Sequence, residues 1–549
     1  MITQFNLIEE KWIPVLKPTN MVELVSIREF FQQSHTIVDF GCELASMRFA
    51  IFRIMFAILR RSLDAKMHSD PEGYWTELWE ADELPLDLIE KYLTQVHDRF
   101  DLLHPQKPFL QTPGLHVKSG EWKELGILVA DSPGEGALFT QTVHTSEITF
   151  DSAARWLIHA NAFDYSGIKS GAVGDPRVKG GKGYPMGIGW AGWMGCTIIT
   201  GANMKETLLL NHALQEDVDL SKDLPIWEEE PLSSVPRPNA QPYGQLSLIT
   251  WPQRRILLHS SGTGIDGVLI CNGDPVDYLS QLLHETMTPW RFSEPQSKKA
   301  KKPVFMPKTL EPGDSLWRGF SSFMPQFATG KEILNSYSSY DSKDDIPSFE
   351  PPETVTQIAN RIGNPLPEDF SLRIDVTSVV YGSQSASFEE ILHDKLVFPA
   401  LLLAVEGADL RDLVETAVKR SMEATEVLAN FAANICRAET DSKDAPAHAR
   451  DRAKAEAFSL LDAEFPQWLS RLPISKDSAE EELQKWTDYV RSLFSSEGNR
   501  LVQEASPSAW HGRKRDDVIF TVGQAEAWFK SNLYKALPPQ EKRKEKTDD

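Results

Sequence analysis

The chain changes texture near residue 387, and that change limits the folds open to it. From about residue 101 to 380 it is dense in proline and glycine, with short apolar runs such as Cys196–Thr200 and Gly267–Cys271. Short apolar runs between such breaks indicate brief strands and long loops. Loops of this length in a compact domain usually carry function. We therefore expect an irregular mixed α/β domain over residues 1–380.

The remainder of the chain is rich in alanine, leucine, glutamate, lysine and arginine, which favour helices. Breaks at Gly407, at Asp441–Pro446 and at Pro473 separate the helical stretches. Four or five helices of this length with short connections predict a helical bundle over residues 388–538. The predicted fold class is therefore α+β, and the charge-dense tail 539–549 is expected to be disordered. The helices are expected at Phe388–Leu403, Leu410–Ala438, Ala447–Leu472, Ala479–Ala505 and Gln524–Leu537.

Charge and cysteine content exclude several classes of protein. The 549 residues carry a net charge of −22, so any contact with nucleic acid must come from local basic patches. The four cysteines are far apart and form no CxxC pair, which excludes a zinc ribbon and a disulfide framework. Arg48 and Arg53 interrupt the most apolar helix candidate, so no membrane span is expected. We expect a soluble cytoplasmic protein without metal or cofactor.

The segment from Asp175 to Gly195 contains the densest combination of glycine, basic and aromatic residues. Glycines let a backbone approach a ligand closely and offer its N–H groups to an anion. Basic side chains attract phosphate, and aromatic faces stack on bases. A polyanion fits such a loop, although a solvated connecting loop has the same composition. The residues concerned are Arg177, Lys179, Gly180, Gly181, Lys182 and Gly183, with Tyr184, Trp190 and Trp193 close by.

The chain contains only incomplete matches to the common sequence motifs of nucleotide-binding and catalytic sites. Two GxGxxG matches, Gly187–Gly192 and Gly262–Gly267, lack the strand before and helix after that a dinucleotide site requires. A phosphate-binding P-loop fails because Gly183 follows Lys182 where serine or threonine must stand. The His393-Asp394 pair lies in a segment expected to be helical and lacks further ligands. The absence of a catalytic constellation favours a binding protein over an enzyme.

Two more segments extend the predicted nucleic-acid surface. Next to Trp290-Arg291-Phe292, four lysines occur within five residues, which is typical of a strip that contacts phosphates or of an exposed charged loop. The segment Val379–Ser387 predicts a strand that ends in a tight turn with Gln384 and Ser385 at its tip. Small polar residues on such a tip can separate a base step. The basic residues are Arg291, Lys298, Lys299, Lys301 and Lys302.

Six segments of the chain carry a resemblance to a known family. They are Phe5-Asn-Leu-Ile-Glu-Glu-Lys-Trp-Ile-Pro-Val15, His104-Pro-Gln-Lys-Pro-Phe-Leu-Gln-Thr112, the glycine/lysine loop, Gly201-Ala-Asn-Met-Lys-Glu-Thr-Leu-Leu-Leu-Asn211, Trp290-Arg-Phe-Ser-Glu-Pro-Gln296 and Tyr381-Gly-Ser-Gln-Ser385. In this order they resemble the large subunit (CasA) family of the type I-E CRISPR surveillance complex, Cascade. They cover most of residues 5–395, whereas the C-terminal part resembles the family only in being helical. The family ends in a four-helix bundle, which the resemblance implies for residues 388–538.

The resemblance implies a non-catalytic subunit at the 5′-handle end of a guide RNA. Such a subunit reads the protospacer-adjacent motif (PAM) of double-stranded target DNA, helps to open the duplex and recruits a separate helicase–nuclease. The family's loop that contacts the RNA handle and the PAM region resembles Ala137-Leu138-Phe139-Thr140-Gln141. Its PAM loop resembles Lys179-Gly-Gly-Lys-Gly183, and its wedge resembles Gln384 or Ser385, of which Gln384 is the preferred candidate.

Specificity and two rival functions stay open. The minor-groove lysine of some family members has no counterpart near Gln281–Glu285, so the PAM that is read does not follow from the resemblance. One rival is an enzyme that acts on nucleotides through the glycine/lysine loop. The other is a scaffold whose basic loops contact only protein. The sequence also leaves open the docking surface for the nuclease and the oligomeric state.

Overall fold

A computed structural model of the chain describes residues 4–130, 146–213, 219–324, 346–515 and 517–539. The helices are α1 Ile27–Gln32, α2 Ala45–Ser69, α3 Pro71–Glu80, α4 Leu86–Val96, α5 Phe150–Phe163, α6 Met204–Leu210, α7 Gln245–Ile249, α8 Glu294–Ala300, α9 Glu353–Ala359, α10 Ala408–Glu439, α11 Ala445–Ser470, α12 Lys476–Glu504, α13 Pro507–His511 and α14 Val522–Ala536. The strands are β1 Ile13–Leu16, β2 Val22–Val25, β3 Asp39–Phe40, β4 Lys169–Ser170, β5 Lys182–Gly183, β6 Cys196–Thr200, β7 Arg254–Ser260, β8 Ile265–Asn272, β9 Trp290–Phe292, β10 Phe305–Pro307, β11 Phe349–Glu350, β12 Ser371–Tyr381, β13 Phe388–Pro399, β14 Arg513–Arg515 and β15 Val518–Phe520.

These elements form two compact units. The described part of unit 1 comprises residues 4–130, 146–213, 219–312, 346–358 and 373–395, and that of unit 2 comprises residues 313–324, 359–372, 396–515 and 517–539. The mixture of helices with small sheets confirms the α+β class. The domain limits 1–380, 388–538 and 539–549 stay predictions, and residues 540–549 of the predicted disordered tail lie outside the described residues.

The sheets of unit 1 are small and mostly antiparallel, which leaves many connections as loops. The strand orders are β2-β1-β3, β10-β9-β11 and β13-β12-β6, with two-stranded pairs β4-β5 and β7-β8. In the β6–β12 pair, Thr200 lies opposite Arg373 and Cys196 lies opposite Thr377. Every residue of β6 is buried. A fully buried strand explains the apolar run that the sequence shows at this position.

Helix α2 forms the buried centre of unit 1. Its apolar residues recur at helical spacing, and nearly all its positions from Met47 to Leu59 are buried. Arg53 and Arg60 of this helix are also buried, and Arg53 forms an ion pair with the buried Glu285 at 3.3 Å. Buried charges of this kind need such partners. Among the described residues, no helix has the length and apolarity that a membrane crossing requires.

The expected helix Phe388–Leu403 is wrong. Residues Phe388–Pro399 form β13, which pairs with β12, and His393-Asp394 therefore lies in a strand. Glutamate, leucine and lysine in this segment favour a helix only weakly, and pairing with a neighbouring strand outweighs that preference. The six residues 382–387 connect the two strands, a connection short enough only for an antiparallel hairpin.

Among the described residues of unit 2 are four long helices that contact one another partly through aromatic side chains. The Phe431 ring of α10 stacks on Phe529 of α14, with the ring centroids 4.5 Å apart. The Trp486 indole of α12 donates a hydrogen bond of 2.9 Å to Ser421 Oγ of α10, and its ring meets Phe465 of α11 edge-on. The long helices predicted at residues 410–438, 447–472, 479–505 and 524–537 are confirmed. Their assembly into a four-helix bundle stays a prediction.

Candidate nucleic-acid interface

The predicted glycine/lysine loop forms a hairpin with an exposed tip. We call residues 169–183 the glycine hairpin, in which β4 pairs with β5. Lys179 and Lys182 exchange two backbone hydrogen bonds of 3.1 Å around Gly180 and Gly181. Both glycines have positive φ, 59° and 75°, which a type I′ turn requires. No atom lies within 4 Å of a Cβ placed on either glycine, so backbone conformation explains these glycines and close packing does not.

A buried ionic network holds the base of the glycine hairpin. Asp164 accepts a 2.8 Å hydrogen bond from Lys169 Nζ and another from Arg254 Nε, and all three side chains are buried. Arg254 Nη2 also donates to the carbonyl oxygens of Gly187, at 2.7 Å, and Tyr165, at 3.2 Å. Burial lowers the pKa of Lys169, and the Asp164 carboxylate offsets part of that effect. One carboxylate therefore fixes the start of the hairpin and the chain that follows it.

Arg177 is paired with a carboxylate of its own loop, and its predicted contact with nucleic acid stays a prediction. Its guanidinium pairs with Asp175, with Nη2 to Oδ2 at 2.9 Å and Nε to Oδ1 at 3.0 Å. Its backbone N–H also donates to Asp175 Oδ1, and its guanidinium reaches the carbonyl of Asn272 at 3.4 Å. An arginine engaged in this way stabilises the loop and offers little charge to a ligand. Gly183 is likewise structural, because a Cβ there would lie 2.9 Å from the Asn272 side chain.

The aromatic residues near the hairpin differ in exposure. Tyr184 is 55% exposed, next to Lys182. Trp190 is 3% exposed, and its indole N–H points to Glu285 Oε2 at 3.4 Å. Stacking of a base on Trp190 is therefore wrong as a prediction, because a core position removes the ring from any ligand. Tyr184 remains accessible for stacking, and Trp193 is half-buried.

The second predicted tip belongs to the hairpin of β12 and β13. Gln384 is exposed and Ser385 half-buried, and both have left-handed backbone, with φ of 56° and 54°. Side chains other than glycine, asparagine and aspartate rarely adopt this region. The Ser385 N–H donates a 2.7 Å hydrogen bond to the Gly382 carbonyl, which closes the turn. We call residues 382–387 the wedge tip.

Asp375 anchors the base of the wedge hairpin. Its carboxylate accepts a 2.6 Å hydrogen bond from the Thr200 hydroxyl and lies 3.3 Å from His393 Nε2. The Arg48 guanidinium lies 3.9 Å away. Burial acts to raise the pKa of Asp375, but the hydrogen bond with His393, the charge of Arg48 and the Thr200 hydroxyl outweigh it and lower the pKa to about 2.

The second basic cluster lies on β9, on helix α8 and on the residues that follow that helix. Arg291 is exposed on β9, and the lysines occupy the last turn of α8 and the residues after it. Lys298 forms an exposed ion pair with Glu294 at 2.8 Å, which screens part of its charge. Lys301 ends the helix in left-handed backbone. The exposed lysines are Lys298, Lys299, Lys301 and Lys302, as the sequence predicts for a phosphate-contacting strip or a charged surface.

Tyr165 connects the start of the glycine hairpin to the wedge hairpin beside its tip. Its ring lies 3.8 Å from Lys169 Nζ of the glycine hairpin and 5.7 Å from the Phe388 ring of the wedge hairpin. Sequence reasoning missed Tyr165, Asp164 and Arg254, because the contacts of Asp164 with Arg254 and of Tyr165 with Phe388 join residues far apart along the chain and give no local signal. Both tips are exposed, and through Tyr165 the start of the glycine hairpin lies close to the residue that follows the wedge tip, an arrangement that suits one ligand in contact with both hairpins.

The predicted contact residues Leu138, Phe139 and Thr140 lie outside the described residues. The chain on both sides of that gap bonds to β8. Lys123 exchanges backbone hydrogen bonds of 3.0 and 3.1 Å with Val268, and Ile148 exchanges bonds of 2.9 and 2.8 Å with Ile265. The same strand contacts the glycine hairpin through Asn272, whose side chain donates to the Tyr184 carbonyl at 2.7 Å.

The structure agrees with the sequence on the two GxGxxG matches. Gly262–Gly267 runs into β8, and Gly187–Gly192 runs into a short 3₁₀ turn, Trp190–Trp193, rather than an α-helix. A dinucleotide pyrophosphate would therefore find no α-helix N-terminus at either motif. Within the described ranges, no group of three histidine, cysteine or carboxylate side chains has an arrangement that could hold a metal ion.

Comparison with known proteins supplies the family. A model of the family described as CRISPR-associated protein Cse1 matches residues 6–496. A protein of Thermus thermophilus described as CRISPR-associated protein CasA/Cse1 is 26% identical over 510 residues, which cover 89% of this chain and 91% of the relative.

Two solved structures extend the comparison. The crystal structure of Thermobifida fusca Cse1 has a TM-score of 0.86 and 35% identity, with 98% of each chain covered. A chain of a solved CRISPR RNA-guided surveillance complex shares the fold, with a TM-score of 0.69, 16% identity and coverage of 97% of this chain and all of the other. Since the family model spans most of the residues, the chain belongs to the CRISPR-associated Cse1 family.

Proposed function

We propose that the protein is the non-catalytic large subunit of an RNA-guided DNA surveillance complex in CRISPR antiviral defence. In this role it recognises the protospacer-adjacent motif of duplex DNA, promotes strand opening and recruits a separate helicase–nuclease. The observation that carries the proposal is the pair of exposed hairpin tips, linked through Tyr165, on a chain whose net charge is −22. An acidic body repels DNA except where basic residues attract it, which restricts contact to those tips.

The glycine hairpin supplies the duplex contact in this proposal. Lys179 and Lys182 are exposed on either side of a turn whose two glycines are also exposed. Two lysines and a bare backbone suit phosphates and the edge of a groove, where hydrogen-bonding patterns are degenerate. Gly180, Gly181 and Gly183 shape the hairpin, and Arg177 stabilises it. The lysines of α8 and Arg291 supply further, less specific attraction.

The wedge tip supplies the strand separation. Gln384 is exposed on a turn held by hydrogen bonds at Gly382 and Ser385, so its side chain is presented on a defined backbone. Unstacking a base step costs on the order of a few kcal/mol, which phosphate contacts elsewhere on the protein offset. We assign Gln384 as the wedge and Ser385 as its support, because Ser385 is half-buried.

The remaining assignments follow from family membership. We propose a guide RNA 5′ handle, contacted by Leu138, Phe139 and Thr140, and other Cascade subunits as partners. Base pairing with the guide then reads the target sequence. We also propose that the long helices of unit 2 form a four-helix bundle. A cytoplasmic location fits the four free cysteines, since a reducing compartment keeps thiols unpaired.

The experiment that tests this function is assembly and duplex binding. The chain is co-expressed with its guide RNA and the backbone subunits, and the purified complex is titrated with motif-bearing duplex over a range of salt concentrations. Replacing Lys179 and Lys182 by alanine should weaken capture and lower the slope of log K against log salt by about two, since each phosphate contact contributes about one. The same pair of changes at Lys91 and Lys419, exposed on α4 and α10, is the charge-matched control.

Three results would contradict the proposal. The first is failure of the chain to co-purify with guide RNA. The second is an equal slope of log K against log salt in the Lys179/Lys182 and control variants. The third is nucleotide hydrolysis that is lost in Lys182→Ala, which would support the rival enzyme.

The wedge assignment has its own test. Gln384→Ala should impair strand opening, followed by a fluorescent base analogue, more than it impairs duplex capture.

A further inference from the structure

The contacts of Tyr165 connect the two hairpins physically. Its ring lies over the Lys169 ammonium at 3.8 Å, a cation–π contact with a lysine that is itself buried. The same ring meets Phe388 edge-to-face, at 5.7 Å and 86°. Aromatic pairs in that geometry attract one another beyond the area that they bury. Tyr165 is therefore in direct contact with the first residue of β4 and the first residue of β13.

The wedge side of this contact is itself tightly held. Phe388 also packs on Tyr381, with the ring centroids 5.4 Å apart, and these two residues flank the wedge tip on either side. The Tyr381 hydroxyl donates a 2.6 Å hydrogen bond to the Phe163 carbonyl, two residues before Tyr165. A Cβ on Gly192 would lie only 2.4 Å from that hydroxyl. The chain that leaves the glycine-rich segment thus packs directly against the end of β12.

The glycine side is equally constrained. Lys169 is bound by Asp164 and by the Tyr165 ring, and the Tyr165 carbonyl accepts from Arg254. Close packing transmits a displacement at one residue to its neighbours rather than absorbing it. A shift of β4 would therefore move the Tyr165 ring against Phe388. The small set of residues Asp164, Tyr165, Lys169, Tyr381 and Phe388 is what we call the hairpin junction.

We propose that Tyr165 is a positioning residue that fixes the glycine hairpin and the wedge tip relative to each other. Duplex held at Lys179 and Lys182 is then presented to Gln384 in one register, so that capture leads to opening. This assignment rests on the proposed function for its consequence in DNA binding, but the mechanical link between the hairpins is a property of the chain alone. The two parts can therefore be tested separately.

The mechanical part is tested by amide hydrogen exchange on the full chain. Tyr165→Leu should speed exchange about tenfold, equivalent to about 1.4 kcal/mol, at the Gly171 and Lys182 amides of one hairpin and at the Gly382 and Ser385 amides of the other. Tyr165→Phe keeps the ring and should change exchange less than about twofold. Tyr184→Leu, at an exposed tyrosine in the same segment, is the matched control and should leave the wedge hairpin unchanged. The Trp12 amide, bonded to Val25 in the β1–β2 region, reports any general loss of stability.

Faster exchange in only one hairpin, or equal acceleration at Trp12, would overturn the link. Phe388→Leu approaches the same contact from the other side and should give the same joint acceleration, which keeps the test valid if Tyr165→Leu does not fold.

The functional part uses the reconstituted complex. Tyr165→Leu should reduce strand opening about tenfold while changing duplex capture less than about threefold, and Tyr165→Phe should restore opening. In combination with Gln384→Ala, the loss should be smaller than the product of the two single losses, because both changes disable one step. Multiplicative losses, or normal opening in Tyr165→Leu while Gln384→Ala is impaired, would overturn the positioning role. If neither Gln384→Ala nor the Lys179/Lys182 variant had an effect, the proposed function would fail, and the exchange result would still decide the link.

Discussion

The tips of the two hairpins adopt left-handed backbone with opposite choices of residue. The glycine hairpin places Gly180 and Gly181 at positive φ, where glycine has no steric cost. The wedge tip places Gln384 and Ser385 at almost the same φ, where a side chain costs about 1 kcal/mol or more per residue. Since glycine would be more stable at both tips, the side chains of the wedge tip are retained at the expense of stability.

This difference in residue choice means that the two tips present different kinds of surface to a ligand. At the glycine hairpin the backbone is the exposed surface, with lysines on either side of it. At the wedge tip a side chain is the exposed feature, and the strained backbone aims it. Strain of this kind persists where surrounding contacts hold the chain in place. Here the junction at Tyr165 and the anchor at Asp375 provide those contacts.

The largest effect is expected at the bases, where the two hairpins also differ. Asp164→Ala leaves Lys169 and Arg254 buried without their carboxylate, so unfolding should become easier by about 3–5 kcal/mol. The control is Glu526→Ala, which removes an exposed i,i+4 pair with Lys530 and should cost less than about 1 kcal/mol. Urea denaturation followed by tryptophan fluorescence measures both. Equal losses in the two variants would remove the special role of the Asp164 network.

Acid should weaken the wedge hairpin through Asp375. Because its pKa is about 2 in the folded chain and 3.8 ordinarily, the folded state favours the ionised carboxylate by about 2 kcal/mol. That stability is fully present above pH 3.8 and is lost as the pH falls through 2. The difference in unfolding free energy between the protein and Asp375→Asn should therefore decrease from pH 5 to pH 2, with about half lost near pH 3. A constant difference over this range would show that Asp375 has an ordinary pKa.

The glycine tip should be sensitive to a single methyl group. Gly180→Ala is expected to destabilise the hairpin by about 1 kcal/mol, because alanine is strained at φ near 59° although no atom obstructs its Cβ. Gly180→Asn is the control, since asparagine tolerates this conformation. Amide exchange at Lys182 reports the local effect. If alanine and asparagine behaved alike, backbone strain would not be the reason for glycine here.

The reciprocal change at the wedge tip should have the smallest effect and the opposite sign. Gln384→Gly relieves strain, so exchange at the Ser385 amide should slow by a few fold, equivalent to less than about 1 kcal/mol. Strand opening should nevertheless fall, since the wedge side chain is gone. A loss of local stability in Gln384→Gly would contradict the strain argument.

Much of the fold could be predicted from the sequence wherever periodicity was long. The long helices of unit 2 repeat their apolar residues over many turns, and the sequence placed them within a few residues of their observed bounds. Strand β13 was missed because its Glu-Glu-Ile-Leu start resembles a helix and its pairing partner is decided by tertiary structure. Local preference is too weak to reveal such a pairing.

The candidate site could be predicted only in part. Residues on exposed tips are recognisable, because glycine pairs, lysines and a Tyr-Gly-Ser turn form local patterns. Arg177 could not be assigned from composition, since only the structure shows Asp175 occupying its guanidinium. The burial of the Trp190 ring could not be predicted either, because its neighbours in the sequence do not show whether the ring lies in the core. The contacts of Asp164, Tyr165 and Asp375 join residues far apart along the chain. They therefore produce no local signal in the sequence.

Strand β8 limits where insertions and deletions in this chain can be tolerated. It bonds to β7 along its length, to Lys123 and Ile148 on either side of residues 131–145, and it ends at Asn272 against the glycine hairpin. Inserting or deleting one residue in β8 would turn every later side chain to the opposite face and displace Asn272. Insertions and deletions among natural relatives should therefore be absent from this strand and should occur mainly in the loops that connect its bonded neighbours.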